Sequence, residues 1–148
     1  MLPEECVTRL AQAELVLHAG DFVTVAVLDD LREIGPPVEG IHGNMDEPQL
    51  KHLLPKQRVV EVADVRIGMV HNPGPRNGRE ARLASRFADC HAVVYGHTHV
   101  PQVERFDDVW ILNPGSPTER RTAPVHAMIE LTVTGSEVTP ELVTLASS

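Results

Sequence analysis

Aromatic residues are nearly missing: one Trp, one Tyr and three Phe in 148 residues. A core here has to be built from Val, Leu, Ile, Ala and Met, and the stacking platforms that hold single-stranded nucleic acids are disfavoured. Basic residues are also few, with 13 Lys and Arg against 21 Asp and Glu and a formal net charge of -8. That balance opposes a basic footprint, so no stable nucleic-acid complex is expected. No apolar run approaches the roughly 18–20 residues that cross a bilayer, so no membrane span is expected. "MLPEECVTRL" has no basic stretch leading into an apolar one and does not read as a secretory signal. Two cysteines, Cys6 and Cys90, cannot make a disulfide framework. They are expected to be buried free thiols in a cytoplasmic protein.

What is present fits one domain spanning residues 1–148, with 42% hydrophobic residues to supply its core. Pro3 with Glu4 and Glu5 suits the start of a helix whose apolar stripe is Cys6, Leu10 and Ala13. "ELVLHAG" reads as a strand, "TVAVLDDLREIG" as a helix closed by Gly35, and "PVEGIHGN" as a second short strand. This alternation is the rhythm of βα units on a parallel sheet. The second half changes character. "QRVVEVADVRIGMVH" reads as a hairpin turning near Ala63 and Asp64, "PQVERFDDVWILNPG" as one turning at Asp107 and Asp108, and "HAMIELTVTGSEVTPELVTL" as one turning at Gly135. Between them lie a helix, "RNGREARLASRFAD", and a buried strand, "HAVVYGH". The helix turns Leu83 and Phe87 inward and carries a largely solvated row of arginines. The sum is a mixed α/β domain, two sheets face to face with helices outside.

Four segments share one feature: an apolar run ends, a glycine or tight turn follows, and a metal-competent side chain appears. "LVLHAGD" offers Asp21, "GIHGN" offers Asn44, "IGMVH" offers His71, and "VVYGHTH" offers His97 and His99. Ligand sites in open α/β sheets form at the carboxyl ends of strands, so these five side chains are expected to share a crevice. Imidazole with oxygen donors suits borderline divalent ions, and a carboxylate can bridge two of them. Taken singly, Asp21 could instead cap the following helix, Asn44 could form an Asx-turn, and His71 could simply be packed. In "ILNPGSPTERR", Asn113 to Gly115 could be only a turn, or Ser116 and the nearby arginines could hold an anion. Arg76, on the loop after His71, is the best placed arginine to reach a substrate.

"HAGD", "GIHGNMD", the His71 segment, "GHTH" and "NPGS", in that order, resemble the motifs of the calcineurin-like metallophosphoesterases. Within them the pattern is most similar to the YfcE-like branch of small phosphodiesterases. The resemblance implies a four-layer α/β/β/α sandwich with a two-metal site, manganese first, with nickel, iron, cobalt or zinc as alternatives. It implies that Asp21 bridges both ions, that Asn44, His71 and His97 complete one position, and that His99 serves the other. Asp21, Asn44, His97 and His99 would then be the catalytic set, Asp46 a supporting group behind it, and Arg76 and Ser116 the substrate contacts. A metal-bound hydroxide would attack a small phosphodiester.

The family's first strand and its Asp-x-His motif have no counterpart before Asp21. The chain is therefore expected to be N-terminally truncated relative to the family, to hold one ion in place of two, and to be a weakened phosphodiesterase, with homodimerisation as a consequence of missing strand pairing. The alternative is non-catalytic. The retromer coat subunit, similar to these enzymes, is a protein-binding scaffold, and a chain lacking half a metal site could do likewise.

Overall fold

The computed structural model describes residues 4–20, 25–43, 46–115 and 126–145. In chain order the elements are α1 (Glu4–Gln12), β1 (Val16–His18), α2 (Val25–Glu33), β2 (Val38–Gly40), α3 (Pro48–Leu53), β3 (Gln57–Val62), β4 (Val65–Val70), α4 (Arg79–Arg86), β5 (Ala92–Tyr95), β6 (Gln102–Phe106), β7 (Val109–Asn113), β8 (His126–Thr134) and β9 (Glu137–Leu145).

A five-stranded sheet, ordered β3-β4-β5-β7-β6, forms the centre. Its three inner strands are parallel to one another, and hairpins fold β3 and β6 back antiparallel on the two edges. The alternation of side chains along a strand assigns each face. Val93 and Tyr95 of β5 turn outward with Val70 and Ile111 beneath Leu83 and Phe87 of α4. Ala92 and Val94 turn inward with Val65, Ile67 and Leu112. Against that inner face pack Leu17 and Ala19 at β1 and Ile129, Leu131 and Val133 of β8. Outside β1 and β2, Leu28 and Leu31 of α2 meet Leu50 and Leu54 at α3. Outside β8 and β9, Cys6 of α1 meets Val143 and Leu145. The result is the expected α/β sandwich: a central mixed sheet, a second layer of strands, and helices on both outer faces.

All three expected hairpins form, each with a two-residue turn. Val62 pairs with Val65, Phe106 with Val109, and Thr134 with Glu137. Positive φ at Ala63, Asp107 and Gly135 gives these turns the twist that matches the flanking strands. Both cysteines are buried and free. Burial pushes each thiol above its ordinary range, which keeps it protonated and unreactive.

Two local expectations change. Ala13 lies beyond the end of α1 and is exposed, so the stripe of that helix rests on Cys6 and Leu10. Helix α3 has no counterpart in the periodicity reading, because six residues are too few to display a helical repeat. Pro48 at its first turn is the local signal for it.

Gly68 shows how tightly α4 sits. A Cβ there would lie 2.5 Å from Cδ1 and 2.6 Å from Cγ of Phe87. The ring cannot yield without leaving the cluster it shares with Leu83 and Tyr95. Gly68→Ala is expected to cost about 1–3 kcal/mol by overpacking, read as a lowered midpoint in thermal or urea unfolding.

Candidate functional site at the strand ends

The carboxyl ends of β1, β2, β4 and β5 meet in one place. His71 follows the last residue of β4 and is buried. Its Nδ1 lies 2.7 Å from the carbonyl oxygen of Ala19, at the end of β1. A carbonyl only accepts, so Nδ1 carries a proton and donates this bond. The backbone of the next strand closes on the same residue, with Gly96 N donating to His71 O at 3.0 Å. Two glycines make this approach possible. A Cβ on Gly20 would stand 2.6 Å from His71 Nδ1, and one on Gly96 would stand 3.0 Å from Ala19 O. Gly20 also has a φ of +104°, which disfavours any side chain.

His97 lies against His71, ring centroids 5.4 Å apart and planes nearly perpendicular at 86°. The loop that carries it is strained. His97 and His99 have φ of 71° and 58°, a left-handed conformation that costs of order 1–3 kcal/mol per side-chain-bearing residue. Three contacts hold it there. Thr98 N donates to Gly96 O at 2.8 Å. Val100 N donates to Thr98 Oγ1 at 3.2 Å. Asn113, fully buried at the end of β7, donates from Nδ2 to Thr98 Oγ1 at 2.9 Å, while its Oδ1 accepts from Gly115 N at 2.8 Å. Asn113 thus fastens the histidine loop to the central sheet, a role that reading it as a simple turn does not give. Its signal in the sequence is a carboxamide closing the apolar run "WILN".

Asp46 is buried and accepts from Gly43 N at 2.7 Å through Oδ2, shaping the loop after β2. The next residue, Glu47, accepts from Val25 N at 2.9 Å and so caps the start of α2 from a distant loop. Arg76 is exposed on the loop after His71. The arginines that follow are not simply solvated. Arg82 donates to the carbonyls of Pro73 and Pro75 at 2.8 and 2.6 Å, and Arg79 donates to that of Gly74 at 3.1 Å. The Arg79 guanidinium also lies over the Tyr95 ring, 5.4 Å from its centroid. Burial raises the Tyr95 phenol, which stays protonated and donates to Gln102 Oε1.

The structure therefore brings His71 and His97 into contact and places His99 two residues on, at the rim. Asp21, Asn44 and Ser116 lie outside the described residues.

This combination of a two-layered α/β sandwich and a histidine loop at the strand ends defines a phosphoesterase-like fold. Residues 1–136 match the calcineurin-like phosphoesterase superfamily domain, and the chain belongs to that superfamily. It is similar to a probable metallophosphoesterase of Methanocaldococcus jannaschii, 32% identical over 135 residues that cover 89% of this chain and 67% of that protein. Among solved structures it is similar to a Thermotoga maritima protein determined by solution NMR, with 34% identity, a TM-score of 0.73, and coverage of 97% of this chain and 88% of that one. It shares its fold with Chaetomium thermophilum Vps29, with 23% identity, a TM-score of 0.77, and coverage of 100% and 91%.

These findings correct the expected chemistry. Among the described residues no group of three or more His, Cys, Asp or Glu gathers closely enough to hold a metal ion. A chelate needs several donors in one small sphere. Here the imidazoles of His71 and His97 meet edge to face, and among the described residues no third donor joins them. The described donors do not fit a divalent ion, whether manganese, nickel, iron, cobalt or zinc. Among the described residues nothing supports the expected active hydrolase or a small phosphodiester as its partner. Hydrolase, phosphodiesterase and metal-binding are therefore not borne out, and what stands is the phosphoesterase superfamily fold.

Asn113→Ala would leave Thr98 Oγ1 without its buried donor and unfasten the loop. The expected cost is about 1–3 kcal/mol in chemical denaturation, with faster amide exchange across residues 97–100 than elsewhere in the sheet.

Proposed function

We propose that this chain is a non-catalytic protein-interaction scaffold built on the calcineurin-like phosphoesterase fold. The observation that carries the reading is the use of polar groups at the strand ends. Asp46 shapes the loop after β2, Asn113 fastens the histidine loop, and His71 bridges to Ala19. These contacts serve the backbone, and among the described residues no three His, Cys, Asp or Glu form a chelate. Membership stands at the level of the superfamily, and within it a Vps29-like placement suits this chemistry better than the YfcE-like one. Chaetomium thermophilum Vps29 has also been solved in complex with a cyclic peptide, so this fold can present a peptide-binding surface. In this reading the strained His97–His99 loop and exposed Arg76 and Val100 form a shaped rim for contact with protein.

The reading is tested with bis(p-nitrophenyl) phosphate and added manganese. The full chain is expected to show no turnover above that of His97→Ala. A manganese-dependent rate that disappears in His97→Ala would overturn the scaffold reading.

A further inference from the structure

The chain has four asparagines, Asn44, Asn72, Asn77 and Asn113. Asn72 and Asn113 are each followed by proline and Asn44 by methionine, whereas Asn77 is followed by Gly78. The difference is chemical. The backbone nitrogen after an asparagine can attack the side-chain Cγ and close a five-membered ring. Proline has no N–H to give up. A side chain on the following residue crowds the attack, and glycine leaves it clear.

The fold leaves this pair open as well. Asn77 and Gly78 are both exposed, on the turn that leads into α4. A Cβ at Gly78 would meet nothing within 4 Å. The turn is closed by Arg79 N donating to Arg76 O at 3.3 Å, and the Gly78 N–H has no acceptor among the described residues. The carbonyl of the same peptide group, Asn77 O, accepts from Arg82 Nη1 at 3.4 Å. A cation there favours loss of the Gly78 proton, because the charge left behind is shared between nitrogen and that oxygen. Asn72 and Asn113 are held differently. Asn72 Oδ1 accepts from Gly74 N at 2.9 Å, and Asn113 is fully buried with both ends of its carboxamide engaged.

We propose that Asn77–Gly78 is a site of spontaneous deamidation, a modification that places a carboxylate on the loop carrying Arg76. Hydroxide removes the Gly78 N–H proton. The nitrogen lone pair then forms a bond to Asn77 Cγ, the Cγ–Nδ2 bond breaks, and ammonia leaves with a proton taken from water. Water adds to one of the two carbonyls of the resulting succinimide and breaks its bond to the ring nitrogen. Opening at Cγ gives aspartate on the original backbone, and opening at the other carbonyl gives isoaspartate. The sum is one water consumed and one ammonia released, with no change of oxidation state. The new charge stands next to Arg76, on a residue that Arg82 already touches, before the positive end of α4. The isoaspartyl form also lengthens the turn by a methylene. The chemistry stands apart from the scaffold reading, although it alters the charge of the rim which that reading uses.

The test incubates the full chain at mildly alkaline pH without denaturant and maps its peptides by mass spectrometry. The Asn77 peptide is expected to gain the mass difference between water and ammonia at least about ten-fold faster than the peptides carrying Asn44, Asn72 or Asn113. The rate is expected to rise with pH, and the product to accept a methyl group from an isoaspartyl methyltransferase. Gly78→Ala is expected to slow the gain about ten-fold. Because Gly78 has a φ of +72°, Asn77→Gln serves as a second variant that leaves this backbone alone, and it is expected to stop the gain. A synthetic peptide of residues 73–83 is the chemical control. No gain at Asn77 while that peptide converts would overturn the proposal. A gain no faster than at the other asparagines, a rate indifferent to pH, or a rate unchanged by both variants would overturn it too.

Discussion

The hydrogen bond from His71 to the carbonyl of Ala19 ties the two strand layers together at the end of the molecule where their loops gather. It is short and asymmetric: one ring nitrogen donates, and the ring is held in one orientation. Gly20 and Gly96 leave the space it needs, and the Gly96 N–H closes on the His71 carbonyl from the adjoining strand. His97 meets that ring edge to face, and the loop carrying His97 and His99 follows a left-handed path at both residues. The strain is borne by the central sheet, through Asn113 and Thr98.

Those contacts hold the loops in place without calling on an ion, and among the described residues no three donors assemble a chelate. Much of the motif order in this superfamily serves the backbone as well as the metal. The glycine in "HAGD" admits His71, the glycine in "GHTH" lets β5 close on β4, and the asparagine in "NPGS" holds the loop between them. Such residues remain useful to a scaffold, because they create a rigid rim of loops on a packed sheet.

The hairpins and the central strand were legible because two-residue turns and alternating apolar residues are local properties, visible in a window of a few residues. Helix α3 was not, since its six residues show no period and only Pro48 marks it. The arginine-bearing helix was read as a solvated face. Arg79 and Arg82 instead hold down the loop from Pro73 to Pro75, whose carbonyls turn toward them only once the loop has folded back on α4. Glu47 capping α2 from another loop is equally invisible in a linear reading, because the partners are 22 residues apart.

By itself the sequence determined the order of elements apart from α3, the turns, the buried thiols and the membership of the superfamily, all carried by short patterns or by motif order. Only the tertiary structure decided which histidines meet. Whether His71 and His97 touch depends on the relative placement of strand ends far apart in the chain, and that is set by how two layers of side chains fit together.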